Sequence, residues 1–116
     1  MTKQQLRDAI ELLQTLVPSA EIIYENKTYD GETQTFNIGI KSPDLPSGIG
    51  FSVCDGKVYV HGDEYAQEKA FRRIKGLVEK GDIFIASKIK QNAKTNRQQV
   101  KTELTEEDQI RVEVFA

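Results

Sequence analysis

Between residues 36 and 60, apolar side chains return at every second position in three successive runs. Phe36, Ile38 and Ile40 alternate with Asn37, Gly39 and Lys41. Ile49, Phe51 and Val53 alternate with Gly50, Ser52 and Cys54, and Val58 and Val60 with Tyr59 and His61. A period of two is the strand repeat, so each run buries one face of a sheet and leaves the other polar. Asp55-Gly56 separates the last two runs, and such a pair accepts the left-handed backbone that a two-residue hairpin requires. Residues 21–26 read as a further strand, with Ile22 and Tyr24 on one face and Ile23 and Glu25 on the other. Asp30-Gly31 marks the turn that follows. The stretch 42–48 holds two prolines and a glycine. It reads as a connection, because proline cannot donate to a central ladder.

A sheet with one apolar face needs a cover. Leu6, Ala9, Ile10, Leu13, Leu16 and Val17 recur at three- and four-residue spacing, the stripe of an amphipathic helix. Thr2 and Gln5 fit a capping box at its start, and Pro18 restricts Val17 and ends it. Gly62-Asp63 opens a second helix with Asp63 as the expected N-cap. Its stripe is Ala66, Ala70, Phe71, Ile74, Leu77 and Val78, and Gly81 closes it. Three more segments, 83–90, 98–104 and 109–115, read as extended. In the last, Ile110, Val112 and Val114 point inward, with Arg111 and Glu113 outward. The predicted fold class is α+β, a curved, mainly antiparallel sheet of about six or seven strands with two helices packed on one face. Residues 1–116 form a single domain. Tyr24, Tyr29, Tyr59, Tyr65 and the phenylalanines are expected mostly in core or strand-pair positions. Around 83–85 the apolar run supplies both faces of a strand, and a covered second face would be a subunit contact, so a homodimer is a candidate assembly.

A chain of 116 residues, 38% hydrophobic and 29% charged, has a globular balance and enough core to fold without staples. Its one cysteine, Cys54, allows no internal disulfide. With no signal-peptide pattern and no long apolar run, the expected compartment is the cytoplasm, with no membrane partner.

Net charge is only −2, yet it is segregated. Residues 1–68 hold five basic and eleven acidic side chains, 69–101 ten basic and two acidic, and 102–116 one basic and five acidic. Between Asp82 and Glu103 stand Lys88, Lys90, Lys94, Arg97 and Lys101 with no acid among them. Arg72, Arg73 and Lys75 add charge from the second helix. Read as strand and hairpin, 88–101 forms a basic arm with Lys88 and Lys90 on one strand face and a polar tip at 91–98. Two binding readings follow. One is a protein partner with an acidic surface, met by the arm and the sheet edge. The other is a nucleic acid, whose phosphates suit lysine, arginine and the nearby amides. No aromatic is interleaved for base stacking, and the lysines could also simply keep an edge soluble.

Catalytic signals are sparse. His61, the only histidine, stands near Asp55, Asp63 and Glu64, which permits a general acid/base reading as a third possibility. One histidine without a second ligand is a poor transition-metal site, so no metal or cofactor is expected. Cys54 reads as a small, partly buried side chain. In the hairpin register it pairs with Lys57, and His61 falls beyond the partner of Gly50, so no Cys–His dyad is expected. Ser47-Gly-Ile-Gly50 lacks the following helix of a phosphate loop.

The leading helix, the 36–41 strand, Gly48-Ile-Gly-Phe51, Asp55-Gly-Lys-Val-Tyr59 and the closing Asp108-Gln-Ile-Arg-Val-Glu-Val114 together resemble an uncharacterised family of cyanobacteria and plastids, a conserved domain of unknown function. The likeness spans roughly residues 6 to 114. It departs from that pattern in having no tryptophan and no basic tail. The resemblance implies the helix–strand architecture and carries no functional residue over. A non-catalytic protein-binding or accessory module is therefore the expected function.

Overall fold

The computed structural model describes residues 1–28 and 30–116, so Tyr29 lies outside the described residues. Ten elements follow in order: α1 (Lys3–Leu16), β1 (Glu21–Lys27), β2 (Thr33–Ser42), β3 (Leu45–Cys54), β4 (Lys57–His61), a 3-10 turn (Tyr65–Gln67), α2 (Glu68–Glu79), α3 (Asp82–Thr95), β5 (Gln99–Leu104) and β6 (Ile110–Phe115). The first four strands form an antiparallel sheet in chain order, and β5 and β6 a separate antiparallel hairpin. The α+β class holds, but the strands are not one sheet of six or seven, and three helices stand where two are expected.

The largest correction is α3. Residues 83–90, expected as a strand, are helical. Ile83, Phe84 and Ile85 are a short apolar run that period alone cannot assign. What decides it is the next turn: Ile83, Ala86, Ser87 and Ala93 share one buried face, and Ala86, Lys88, Lys90, Gln91 and Ala93 favour helix. Gly81, with φ +84, both closes α2 and opens α3. Its amide bonds to the Val78 carbonyl at 3.1 Å, and its own carbonyl accepts from Phe84 and Ile85 at 3.1 and 3.2 Å.

At the N-terminus the capping box is present. The Thr2 amide donates to Gln5 Oε1 at 2.9 Å, and the Gln5 amide to Thr2 Oγ1 at 3.1 Å. Leu6, Ile10, Leu12 and Leu13 of α1 then bury against Ile38, Ile40, Ile49 and Phe51 of β2 and β3. On the far side of α1 lies α3, and beyond it the β5–β6 hairpin, whose Leu104, Ile110 and Val112 join the same core. No described helix is long and apolar enough to cross a membrane.

Asp63 does accept a hydrogen bond from the Tyr65 amide at 3.0 Å, but it caps no α-helix and stands one residue before Glu64, the N-cap of the 3-10 turn. The second α-helix begins only at Glu68, with Gln67 at its N-cap making no side-chain capping bond. Ala66, expected in the stripe, is exposed. Tyr24 is also turned out, beside a register shift between Ile23 and Glu25. Tyr59, Tyr65 and Phe115 are exposed with it, whereas Phe36, Phe51 and Phe71 are buried.

Proline does enter a central strand. In β3, Ser42 pairs with Leu45 and Ile40 with Ile49, so Pro46, Ser47 and Gly48 stand opposite Lys41 alone. This bulge takes Pro46 out of the ladder, where its missing N–H costs nothing. Gly48, with φ +76, completes the detour. On the sheet face away from the helices, Gly39 pairs with Gly50, and the Phe36 ring lies over the two glycines. An added Cβ at Gly50 would strike that ring, and at Gly39 the Ile49 carbonyl as well. Gly50→Ala is expected to cost about 1–3 kcal/mol in urea unfolding by overpacking. In a Phe36→Ala background most of that increment should vanish, because the obstructing atoms are gone.

Candidate functional site

The eight cations singled out in the sequence divide into two groups. On α2, Arg72 binds Glu64 at 3.1 Å and Glu68 at 2.9 Å. Arg73 pairs with Asp108 in the β5–β6 loop, and its guanidinium also reaches the Thr105 carbonyl at 3.5 Å. Lys75 lies 3.7 Å from Glu79. Their charge is largely answered within the chain.

Lys88, Lys90 and Lys94 on α3, Arg97 in the following turn and Lys101 on β5 are in no ion pair among the described residues. Residues 88–99 are exposed except for Ala93. This replaces the expected hairpin arm: the charge sits on the distal half of a helix and on the chain leaving it. The geometry changes accordingly. Lys88 and Lys90 lie on nearly opposite sides of α3, about 160° apart, whereas Lys90 and Lys94 share a side. Lys90 lines a shallow groove between α1 and α3 together with Asp8 and Glu11. Arg97 holds a left-handed backbone, φ 55, and the Gln98 amide returns to the Ala93 carbonyl at 2.8 Å. A C-terminal closure of this kind satisfies a helix-end carbonyl and turns the chain back into β5. Gln91, Asn92, Thr95, Asn96, Gln98 and Gln99 surround the cations with amides and a hydroxyl.

The Asp55, His61, Asp63 and Glu64 group is dispersed. Asp55 occupies the β3–β4 turn with φ 51, at the opposite end of β4 from His61. His61 is the cross-strand partner of Gly50 rather than lying beyond it. Its ring stacks on Phe36 with centroids 6.0 Å apart, and Nε2 meets Ser52 Oγ at 3.1 Å. Asp63 bonds the Tyr65 amide and Glu64 pairs with Arg72. Among the described residues no three His, Cys, Asp or Glu side chains converge as for a metal ion. Cys54 is exposed rather than partly buried, at the Asp55-Gly56 turn and opposite Lys57.

One concavity has no sequence signal. A cleft of about 640 Å³ opens between the end of α1, the β2–β3 turn and the start of α2, with Val17, Leu45, Ala70 and Ile74 in its wall. Ser42 Oγ is buried beside it without a hydrogen-bond partner. Gln67, also in the wall, is turned inward: Nε2 donates to the Gly48 carbonyl at 2.7 Å, and Oε1 accepts from the Ser47 amide at 3.1 Å. Its side chain thus substitutes for the strand partner that the bulge removes. The cleft escapes sequence reading because it is built on that bulge.

Comparison with protein-family models, curated proteins and solved structures finds no match. Function must therefore be argued from the chain's own surface.

A buried amide with two backbone bonds should outweigh exposed ion pairs. Gln67→Leu is expected to lower stability by about 2 kcal/mol, since it strands two polar groups of the bulge. Arg72→Ala, which removes pairs exposed to solvent, should cost less than about 1 kcal/mol. Urea denaturation of the two variants checks the order.

Proposed function

We propose that this protein is a small non-catalytic binding module whose partner is a protein with an acidic surface. The partner is held by the cationic end of α3 and the chain that leaves it. The observation that carries this reading is the absence of an ion pair, among the described residues, at Lys88, Lys90, Lys94, Arg97 and Lys101. On α2, by contrast, Arg72, Arg73 and Lys75 are all paired. Five cations close in sequence repel one another, and an acidic surface relieves that repulsion while speeding encounter. The site is exposed and polar, which suits a macromolecular surface better than an enclosed small molecule. Exposed amides around the lysines add neutral donors that a carboxylate-rich surface can use.

A nucleic acid would meet the same charges, but no aromatic lies between Lys88 and Lys101 to supply stacking. The test is fluorescence polarisation with a labelled Asp/Glu-rich peptide and with single- and double-stranded DNA and RNA, over a salt series. The expected result is peptide binding that falls at least about tenfold in the Lys88→Glu/Lys90→Glu/Lys94→Glu variant. Reversal of Lys3, Lys27 and Lys57, remote in sequence, should leave it unchanged. Tighter binding to nucleic acid, with a log–log salt slope of about −3 to −5, would move the assignment to phosphate. Indifference to the α3 charges would remove this surface from consideration.

A further inference from the structure

The β5–β6 hairpin leaves one edge of β6 without a strand partner among the described residues. Edges of this kind usually carry a lysine, a proline or a bulge that discourages pairing. Residues 109–116, Gln-Ile-Arg-Val-Glu-Val-Phe-Ala, contain neither lysine nor proline, and the β5–β6 register runs without a shift. Beside this edge, Ile85 and Ile89 of α3 are exposed to 62% and 37%, and Val114 to 43%. Ile85 and Ile89 share a groove with Ile110 and Val112. We propose that β6 is a homodimerisation strand that pairs antiparallel with β6 of a second copy about a twofold axis at Val112.

The register follows from hydrogen-bond parity and charge. The Thr105 amide donates to the Gln109 carbonyl at 2.8 Å, which makes 105 and 109 a hydrogen-bonded pair of the ladder. Counting along the register, in which Glu103 faces Arg111 and Lys101 faces Glu113, Arg111, Glu113 and Phe115 turn their backbone groups toward β5. Ile110, Val112 and Val114 turn theirs outward. Antiparallel pairing of two copies must join these outward groups. An axis at Arg111 would set that arginine against Arg111 of the partner subunit, and an axis at Glu113 would oppose two glutamates. Like charges directly opposite are destabilising. An axis at Val112 instead places Arg111 opposite Glu113 of the partner subunit, and Glu113 opposite Arg111 of the partner subunit. These fall at non-hydrogen-bonded positions, where side chains approach most closely.

Within one hairpin Arg111 already bonds Glu103 at 2.9 Å. Across the dimer, the exposed row would read Glu103, Arg111, then the partner's Glu113 and the partner's Lys101, alternating in sign over four strands. On the other face, Val112 would meet the partner's Val112, and Ile110 the partner's Val114, beneath Ile85 and Ile89 of both copies. One isologous patch therefore satisfies backbone, charge and apolar surface together.

The test is sedimentation velocity and native mass spectrometry over about a hundredfold range of protein concentration. Wild type is expected to dimerise. Arg111→Glu and Glu113→Arg should each weaken dimerisation at least about tenfold. An equimolar mixture of the two should regain a dimer containing one chain of each, because both cross-pairs are then opposite in sign. Val112→Pro removes an outward N–H that the hairpin does not use, and should give a folded monomer. Should a variant unfold, hydrogen exchange on the unmodified protein decides. Amides of Ile110, Val112 and Val114 should gain protection with concentration, while those of Arg111 and Glu113 stay constant. A wild-type monomer throughout, no rescue on mixing, a Val112→Pro dimer or concentration-independent exchange at the outward amides would each overturn the proposal.

Discussion

Leu6, Ile10 and Leu13 of α1 meet Ile38, Ile40, Ile49 and Phe51 of the sheet in one layer from which solvent is excluded, each of these side chains being essentially inaccessible. Burying a side chain of this size contributes roughly 1.5–3 kcal/mol, so this layer supplies much of what offsets the ordering of the chain. It also fixes direction. With α1 across β2 and β3, the helix has a second apolar side, and α3 occupies it. That in turn gives the β5–β6 hairpin a surface to lie on. The molecule is a stack of sheet, helices and hairpin built outward from one contact.

The opposite face of the sheet is closed by other means. Among the described residues no helix covers it, yet Phe36 is buried there because it lies over Gly39 and Gly50, with His61 stacked against it. Glycine leaves the pleated surface bare of side chain, and an aromatic ring laid on it recovers packing that two missing Cβ atoms forfeit. His61 is thereby accounted for as a packing and hydrogen-bonding residue. Its proximity in sequence to Asp55 and Glu64 reflects strand and turn positions rather than a shared site.

Charge is arranged by element. The arginines of α2 are drawn into pairs with Glu64, Glu68 and Asp108, the last of which ties α2 to the distant loop of the β5–β6 hairpin. Such exposed pairs contribute little to stability individually, but they leave α2 nearly neutral toward a partner. The cations of α3 are in no ion pair among the described residues. The most acidic part of the fold, 102–116, folds into β5, β6 and their loop, where Glu103 and Asp108 spend their charge on Arg111 and Arg73.

Local chemistry alone specified several elements. The Thr2–Gln5 capping box, the stop at Pro18, the Asp55-Gly56 turn and the alternation of β3 and β4 depend on neighbours a few residues away and are present as read. In β2, by contrast, the register shift between Thr35 and Gly39 moves Phe36 to the face opposite Ile38 and Ile40. The segment 82–95 was ambiguous because Ile-Phe-Ile suits a buried strand or a helix equally. The choice fell to packing against α1, along which Ile83, Ala86, Ser87 and Ala93 bury one face of a helix. Pro46 looked incompatible with a central strand until a bulge, sealed by Gln67 from twenty residues away in sequence, removed the need for its N–H. The cationic residues were identifiable from composition, but not their grouping: a strand would have put Lys88 and Lys90 together, and a helix separates them. Sequence thus determined what each short stretch can be by itself. Tertiary structure decided which alternative is adopted and which charges remain free, because both depend on surfaces supplied by residues far along the chain.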